Sequence, residues 1–224
     1  PDNRYFTFDW GDAEATEAAF RDAAHVVSID LINARVIPNP IEPRVCVALP
    51  EGDRLTLHAN HQKPHDLVKM MAPVIGIEPS CMRVISPDVG GGFGAKLFLY
   101  PEETVAAFLS LQLHAPLRWV GTRSEAMLGD AHARDHATHA ELALDDDGTF
   151  LGLRADVLAA LGGCVSSFAP AIPTQYHAPA CSGVYRIPAM AIAVHGVFTN
   201  TAPVDAYRGA GRPEAAYIIE RLAD

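Results

Sequence analysis

The chain has 224 residues, 49% hydrophobic, 20% charged and 8% aromatic, a balance that excludes collagen-like, disordered and disulfide-rich classes. At this length folding buries roughly 70% of the surface of the unfolded chain, enough for a sizeable core. A net charge of −10, from 27 acidic against 17 basic residues, argues against nucleic acid or an anionic membrane as partner.

Taken in chain order, DAEATEAAFRDAA (Asp12 to Ala24) opens on an aspartate cap with acids in its first turns and predicts a surface helix. VVSIDLINARVIP (Val26 to Pro38) alternates apolar and polar and predicts a strand, and RVCVAL (Arg44 to Leu49) with RLTLHAN (Arg54 to Asn60) flanks a Pro50-Glu51-Gly52-Asp53 turn, a β-hairpin. His65 to Gly76 reads as a short helix and Met82 to Ser86 as a strand that runs into Pro87-Asp88-Val89-Gly90-Gly91-Gly92-Phe93-Gly94-Ala95-Lys96. Pro101 to Pro116 has proline at its start, acids in its first turn and apolar residues at 105, 108, 109 and 113, a helical stripe, so a helix is expected. Arg118 to Val120 is a predicted strand, and His136 to Leu144 pairs with Phe150 to Ala160 across Asp145-Asp146-Asp147-Gly148. A loop from Gly162 to Gly183, a strand at Ala189 to Asn200 and a final proline-led helix complete the reading. It contains no repeat, no low-complexity segment and no clear linker, and the predicted class is α+β, with mixed sheets and packed helices.

The four cysteines, Cys46, Cys81, Cys164 and Cys181, form no CxxC pair, so a zinc ribbon or iron–sulfur cluster lacks its usual spacing and buried free thiols are expected. His132, His136 and His139 lie close in sequence but have no convergent register for a metal. No apolar run approaches the roughly 20 residues of a membrane span, and no secretory leader pattern is present, so a cytoplasmic setting is expected. The chain starts without Met and closes on Ile218 to Asp224, an amphipathic helical pattern without a stop signal, which suggests a piece of a longer protein.

Three segments could carry chemistry. Consecutive glycines are costly to order, so GGGFGAK, between a strand and a helix, is either a ligand loop whose N–H groups face an anion or a tight structural turn. It is not a Walker A loop, which needs a hydroxyl where Leu97 stands, and GxGxxG is not matched either. AYRGAGRPEA places two arginines on a glycine-relieved loop before a helix N-terminus, which is either suited to an anionic or oxo-bearing ligand or a helix-start turn with solvated arginines. Asn60-His61-Gln62-Lys63-Pro64-His65, polar at a strand end, offers an amide that can donate and accept.

INARVIPNPIEPR, NHQKPH, DVGGGFGAK, ARDHATHAELALDDDG, VHGVFTN and AYRGAGRPEAAYIIERLAD, in this order and spacing, resemble the molybdenum-binding large subunits of the xanthine dehydrogenase and aldehyde oxidase family. The branch they resemble is the carbon monoxide dehydrogenase large-chain-like one. The resemblance covers nearly the whole chain and implies residues 1–224 as the N-terminal part of a molybdopterin-binding region. It implies a molybdopterin cytosine dinucleotide whose molybdenum has no covalent protein ligand. By the same resemblance Gln62 hydrogen-bonds the apical oxo ligand, Gly92, Phe93 and Gly94 bring backbone to the cofactor, and Arg208 and Gly209 lie in the second active-site loop. Arg134, in the ARD triplet, is the further candidate, facing the substrate.

Two departures bear on substrate. Carbon monoxide-oxidising members carry a copper-binding cysteine within AYRCSFR where this chain has Gly209, and purine-oxidising members place a glutamate after the loop lysine where this chain has Leu97. The resemblance therefore implies an aldehyde or N-heterocycle hydroxylated with water as oxygen source. FAD and [2Fe-2S] clusters are implied on partner subunits, along with the rest of the large subunit and a homodimer as an allowed assembly. The family's general-base glutamate is expected beyond Asp224, so no catalytic residue is assigned within these residues and the isolated piece is expected to be inactive. Two other readings stand beside this one: a catalytically silent assembly module of the same fold, and a phosphate- or nucleotide-binding loop at GGGFGAK.

Overall fold

The structure, a computed structural model, describes residues 2–224. In chain order its elements are β1 (Arg4–Gly11), α1 (Ala13–Asp22), β2 (His25–Asn33), β3 (Val45–Glu51), β4 (Arg54–Ala59), α2 (Pro64–Ile75) and β5 (Met82–Ile85). There follow α3 (Pro101–Leu113), β6 (Leu117–Val120), α4 (Arg123–Gly129), β7 (His136–Leu144), β8 (Phe150–Gly162), β9 (Ala189–Phe198) and α5 (Arg212–Ala223). They divide into two compact units although the sequence shows no linker: residues 37–130 form one, and residues 2–36 with 131–224 the other. The α+β class expected from the sequence is the one found.

The discontinuous unit is built on a five-stranded sheet, order β1-β9-β8-β7-β2, antiparallel except for the β8/β9 pair. The aspartate turn closes the β7–β8 hairpin as predicted, with Asp145 Oδ1 accepting from Thr149 N at 2.7 Å and Asp147 N at 3.0 Å. Leu142, Leu153, Val157, Ile192 and Val194 of the sheet pack with Ile218, Ile219 and Leu222 of α5 to form the core. The expected loop from Gly162 to Gly183 contains successive short 3₁₀ and π turns over residues 169–180, which bury Thr174, His177 and Cys181. The predicted strand Val26 to Pro38 stops at Asn33.

The continuous unit carries a four-stranded sheet, order β5-β4-β3-β6, with β4 and β5 parallel and the other pairs antiparallel. Cys46, Ala48, Leu55 and Leu57 pack against Leu67, Met71 and Ile75 of α2 and Ala106 and Ala107 of α3. The helix expected after the glycine-rich loop is present, but its apolar stripe is not the face it buries. The residues it buries are Glu103, Ala106, Ala107 and Ser110, while Val105 is 53% and Leu113 66% exposed and Phe108 and Leu109 also face out. Small side chains let the helix axis approach β3 closely, and Ser110 Oγ donates to Ala48 O at 3.2 Å, so close approach decides the face rather than apolarity.

All four cysteines are free, as expected, yet only Cys46 and Cys181 are buried; Cys81 is half-buried and Cys164 exposed. Of the clustered histidines, His136 and His139 project to opposite faces of β7, the first buried and the second exposed. No helix among the described residues is long and apolar enough to cross a membrane.

Candidate functional site

In the continuous unit, β4 delivers Asn60, His61 and Gln62 to the glycine-rich loop, and each is held by a different partner. Asn60 Oδ1 accepts from Val45 N at 3.1 Å while its Nδ2 donates to Glu42 Oε2 and Pro43 O, both at 2.8 Å. His61 is buried; its Nδ1 accepts from Lys63 N at 3.0 Å, so the proton sits on Nε2, 3.3 Å from Phe98 O. Burial pushes the His61 pKa down and keeps the ring neutral.

Gln62 is the hinge of the arrangement. Its side-chain Oε1 accepts from Gly94 N at 3.0 Å and Lys96 N at 3.3 Å, and its own N–H donates to Lys96 O at 2.8 Å. Two N–H groups converging on one atom require that atom to be the amide oxygen, which fixes the flip of the group. The Nε2 is then left on the exposed side with no acceptor among the described residues. A Cβ at Gly92 would collide with this side-chain amide, so only glycine lets the glutamine lie across the loop.

Phe93, next in the loop, is 42% exposed and held at φ +55°, a left-handed conformation costly for an aromatic residue. Lys96 is 2% exposed: its Nζ donates to Val89 O and lies 3.5 Å from Glu42 Oε2. Its pKa is lowered by burial, partly offset by Glu42. The loop lysine therefore props the loop from beneath. A phosphate loop needs that charge turned outward, so the nucleotide reading loses its main cation.

Beneath the loop, Tyr100 Oη donates to Ala95 O at 2.8 Å and its ring carries the Arg44 guanidinium, 3.6 Å from the ring centroid. Arg44 pairs with Asp130 at 2.7 Å and Glu102 at 3.0 Å, with Glu103 at 3.9 Å. Burial raises the Glu103 pKa to about 7 against the pull of Arg44, and its Oε2 has no hydrogen-bond partner among the described residues.

In the discontinuous unit the loop after β9 is pinned from inside at its carbonyls. Arg134 Nη1 donates to Tyr207 O at 3.3 Å and pairs with Glu214 Oε1 at 2.9 Å, while Nη2 donates to Arg208 O at 3.0 Å. At the far end Gly211 O lies 3.2 Å from His177 Nδ1 and also accepts from Ala215 N at 3.0 Å. Buried Asp205 accepts from Phe168 N at 3.0 Å and Ala206 N at 2.7 Å. The N–H groups of Arg208 and Gly209 reach no acceptor among the described residues, and the Arg208 side chain is exposed. Gly209 sits at φ +98°, and a Cβ there would meet the Pro213 ring at 2.6 Å.

The sequence-derived candidates thus fall into two groups: Gln62, Gly92, Phe93 and Gly94 come together in one unit, and Arg134, Arg208 and Gly209 in the other. Arg134, expected to face the substrate, commits its guanidinium to Glu214 and two carbonyls. Sequence reasoning missed Glu214, His177, Glu42 and Arg44. The one local signal was for Glu214, an acid in the first turn of a helix that opens with proline.

Residues 1–224 match the family model described as the molybdopterin cofactor-binding domain. The chain belongs to that family. It is 41% identical to the carbon monoxide dehydrogenase large chain of Hydrogenophaga pseudoflava over 99% of this chain and 28% of that one. It is 35% identical to the nicotine 6-hydroxylase large subunit of Paenarthrobacter nicotinovorans, over 93% of this chain and 26% of the relative. Among solved structures, quinoline 2-oxidoreductase from Pseudomonas putida 86 superposes with a TM-score of 0.92 at 32% identity, covering 99% of this chain and 28% of that one. The chain thus spans little more than a quarter of the length of these relatives. The protein is a molybdopterin cofactor-binding domain of the xanthine dehydrogenase and carbon monoxide dehydrogenase family.

Proposed function

We propose that this domain is part of a molybdenum hydroxylase large subunit that oxidatively hydroxylates an aldehyde or N-heterocycle. The observation that carries the reading is the Gln62 amide, whose oxygen is saturated by the loop and whose Nε2 has no acceptor among the described residues. A fixed, unengaged N–H donor beside a strained, exposed Phe93 suits an oxo-bearing group, because preorganised donors need no rearrangement when negative charge arrives. In the other unit the exposed Arg208 and the free N–H groups at residues 208 and 209, before the α5 N-terminus, suit an anion equally well.

The residues present therefore fit the cofactor. Within the continuous unit Gln62 with the backbone at Gly92, Phe93 and Gly94 would hold an oxo-bearing group of the cofactor, and the Arg208 and Gly209 loop, taken by itself, would suit an anionic one. When bound, a molybdopterin cytosine dinucleotide supplies the oxidation of a substrate carbon with oxygen from water. The residues of this chain orient it and present donors to it, without a bond to the metal. The same reading includes FAD and [2Fe-2S] clusters on partner subunits, a general base elsewhere in a longer polypeptide and a cytoplasmic setting.

Substrate class is supported from two sides. The names of relatives at 32 and 35% identity specify quinoline and nicotine, both N-heterocycles. Gly209 leaves no thiolate for copper, and its φ and its contact with Pro213 oppose any side chain there. Leu97 offers no hydrogen bond to a purine ring.

Metal and pterin analysis of the full-length protein, purified with its neighbouring subunits, tests the reading, followed by turnover of quinoline and benzaldehyde. Molybdenum and pterin in near-stoichiometric amounts with turnover of either compound is the expected result. Absence of molybdenum would overturn it and leave the silent assembly module as the better account.

A further inference from the structure

We propose that Arg134 is a positioning residue: together with the Ala210 N–H on Tyr207 O it holds the carbonyls of Tyr207 and Arg208 inward and so leaves the Arg208 guanidinium and the N–H groups of Arg208 and Gly209 free to face a ligand. The proposal rests on the reading above that Arg208 serves the cofactor, but its structural half can be tested separately.

The geometry carries it from three sides. One planar guanidinium reaches three acceptors, Glu214 Oε1, Tyr207 O and Arg208 O, at 2.9, 3.3 and 3.0 Å. No other side chain has that fork; a lysine ammonium of similar reach is a point charge and cannot bridge acceptors lying in different directions in one plane. The pair is also enclosed, with side chains 10% exposed at Arg134 and 1% at Glu214, so removing the cation strands a carboxylate whose Oε2 already lacks a partner. Finally, Arg134 and Asp135 stand at φ +67° and +65°, two consecutive left-handed non-glycine residues. Such a conformation persists only where its surroundings impose it. Here Arg35 imposes it, pairing with Asp135 at 2.6 Å and donating to Thr201 Oγ1 at 2.6 Å and Ala202 O at 2.9 Å. The strained dipeptide aims the Arg134 side chain under the loop, where its three donor contacts are already formed and little of it is left to reach a substrate.

The test uses the full-length protein with its neighbouring subunits and reads hydrogen exchange at the hydrogen-bonded amides of Ala206, Ala210 and Arg212, together with molybdenum content. Arg134→Lys is expected to raise exchange at these amides by about tenfold while strand β8 is unchanged, and to lower molybdenum content in parallel. Glu214→Gln keeps an acceptor for the guanidinium and is expected to stay within about threefold of wild type. In Arg134→Ala, added guanidinium ion is expected to restore protection, which a general loss of folding would not allow. Exchange in Arg134→Lys within about twofold of wild type would overturn the proposal even if Arg134→Ala failed to fold. Increased exchange in a protein whose wild type contains no molybdenum would sustain the positioning role and overturn only the functional reading.

Discussion

The two loops that carry the cofactor candidates are clamped by opposite chemistry. In the continuous unit the clamp is an acceptor: Gln62 Oε1 takes the N–H groups of Gly94 and Lys96, and the group left over for a ligand is the clamp's own Nε2. In the discontinuous unit the clamp is a donor: Arg134 takes the carbonyls of Tyr207 and Arg208, and the groups left over belong to the loop. Both routes end with donors facing out. They differ in cost, because a neutral amide clamp can be lost for little more than a hydrogen bond, whereas a buried charged clamp leaves an uncompensated carboxylate. The same difference extends to the buried titratable groups behind each loop.

The largest effect follows from that pairing and runs in opposite directions in the two units. Burial, with His177 and Arg134 adding to it, drops the His136 pKa from 6.5 to about 3. Between these values the unfolded chain binds the extra proton, so stability contributed by neutral His136 is complete above pH 6.5 and lost as pH falls toward 3, by roughly 5 kcal/mol in all. Glu103 is the reverse: burial raises its pKa from 4.5 to about 7, so the folded state binds the extra proton and stability falls as pH rises through that window, by roughly 3 kcal/mol. The two windows overlap between pH 4.5 and 6.5, where the opposite slopes offset one another, so denaturant unfolding should give a nearly flat profile there in wild type and a stability that rises with pH in Glu103→Gln. A profile as flat in Glu103→Gln as in wild type would break the comparison.

Much of the scaffold was legible because it is written in local signals. The triple-aspartate turn between β7 and β8, the Pro50-Glu51-Gly52-Asp53 turn between β3 and β4 and the proline starts of α3 and α5 each specify their element without reference to anything distant. Two elements passed over also had signals, Phe6, Phe8 and Trp10 at every second position of β1 and the Thr122–Glu125 capping box that opens α4. The buried face of α3 was a different matter. Ala106, Ala107 and Ser110 face inward because β3 approaches closely, which no count of apolar positions contains. In the site, the motifs located Gln62 and Arg208 but not what holds them, since Arg134 meets Glu214 across 80 positions and Gln62 meets Gly94 across 32. Such pairings become visible only when the chain has folded.

Gly209 sharpens the comparison at the donor-clamped loop. Its φ of +98° is unfavourable for any side chain, and the Pro213 ring lies 2.6 Å from where a Cβ would stand, with α5 continuing behind it. Gly209→Ala and Gly209→Cys should each lower stability by about 2 kcal/mol, read from the denaturation midpoint. The cysteine variant should also fail to bind copper at this loop, because the backbone must shift to admit its side chain. A variant with wild-type stability and one tight copper ion per subunit would show that the loop tolerates a thiolate and would reopen carbon monoxide as a substrate.

The smallest expected effect on stability falls at the acceptor-clamped loop and is the most informative about function. Gln62→Ala removes an exposed neutral side chain that covers the N–H groups of Gly94 and Lys96, and its removal opens them to water, so about 1 kcal/mol is expected. Gln62→Glu should cost no more, since a carboxylate accepts from the same two amides with added charge. The two variants differ in what they show a ligand: neither donates, but glutamate also places a negative charge where an oxo group is proposed to lie. Molybdenum content of the full-length protein should therefore fall in the order wild type, Gln62→Ala, Gln62→Glu, although stability does not follow that order. If glutamate retained more metal than alanine, the outward-facing group at this position would be serving as an acceptor, and the assignment of Nε2 as the donor to the cofactor would fail.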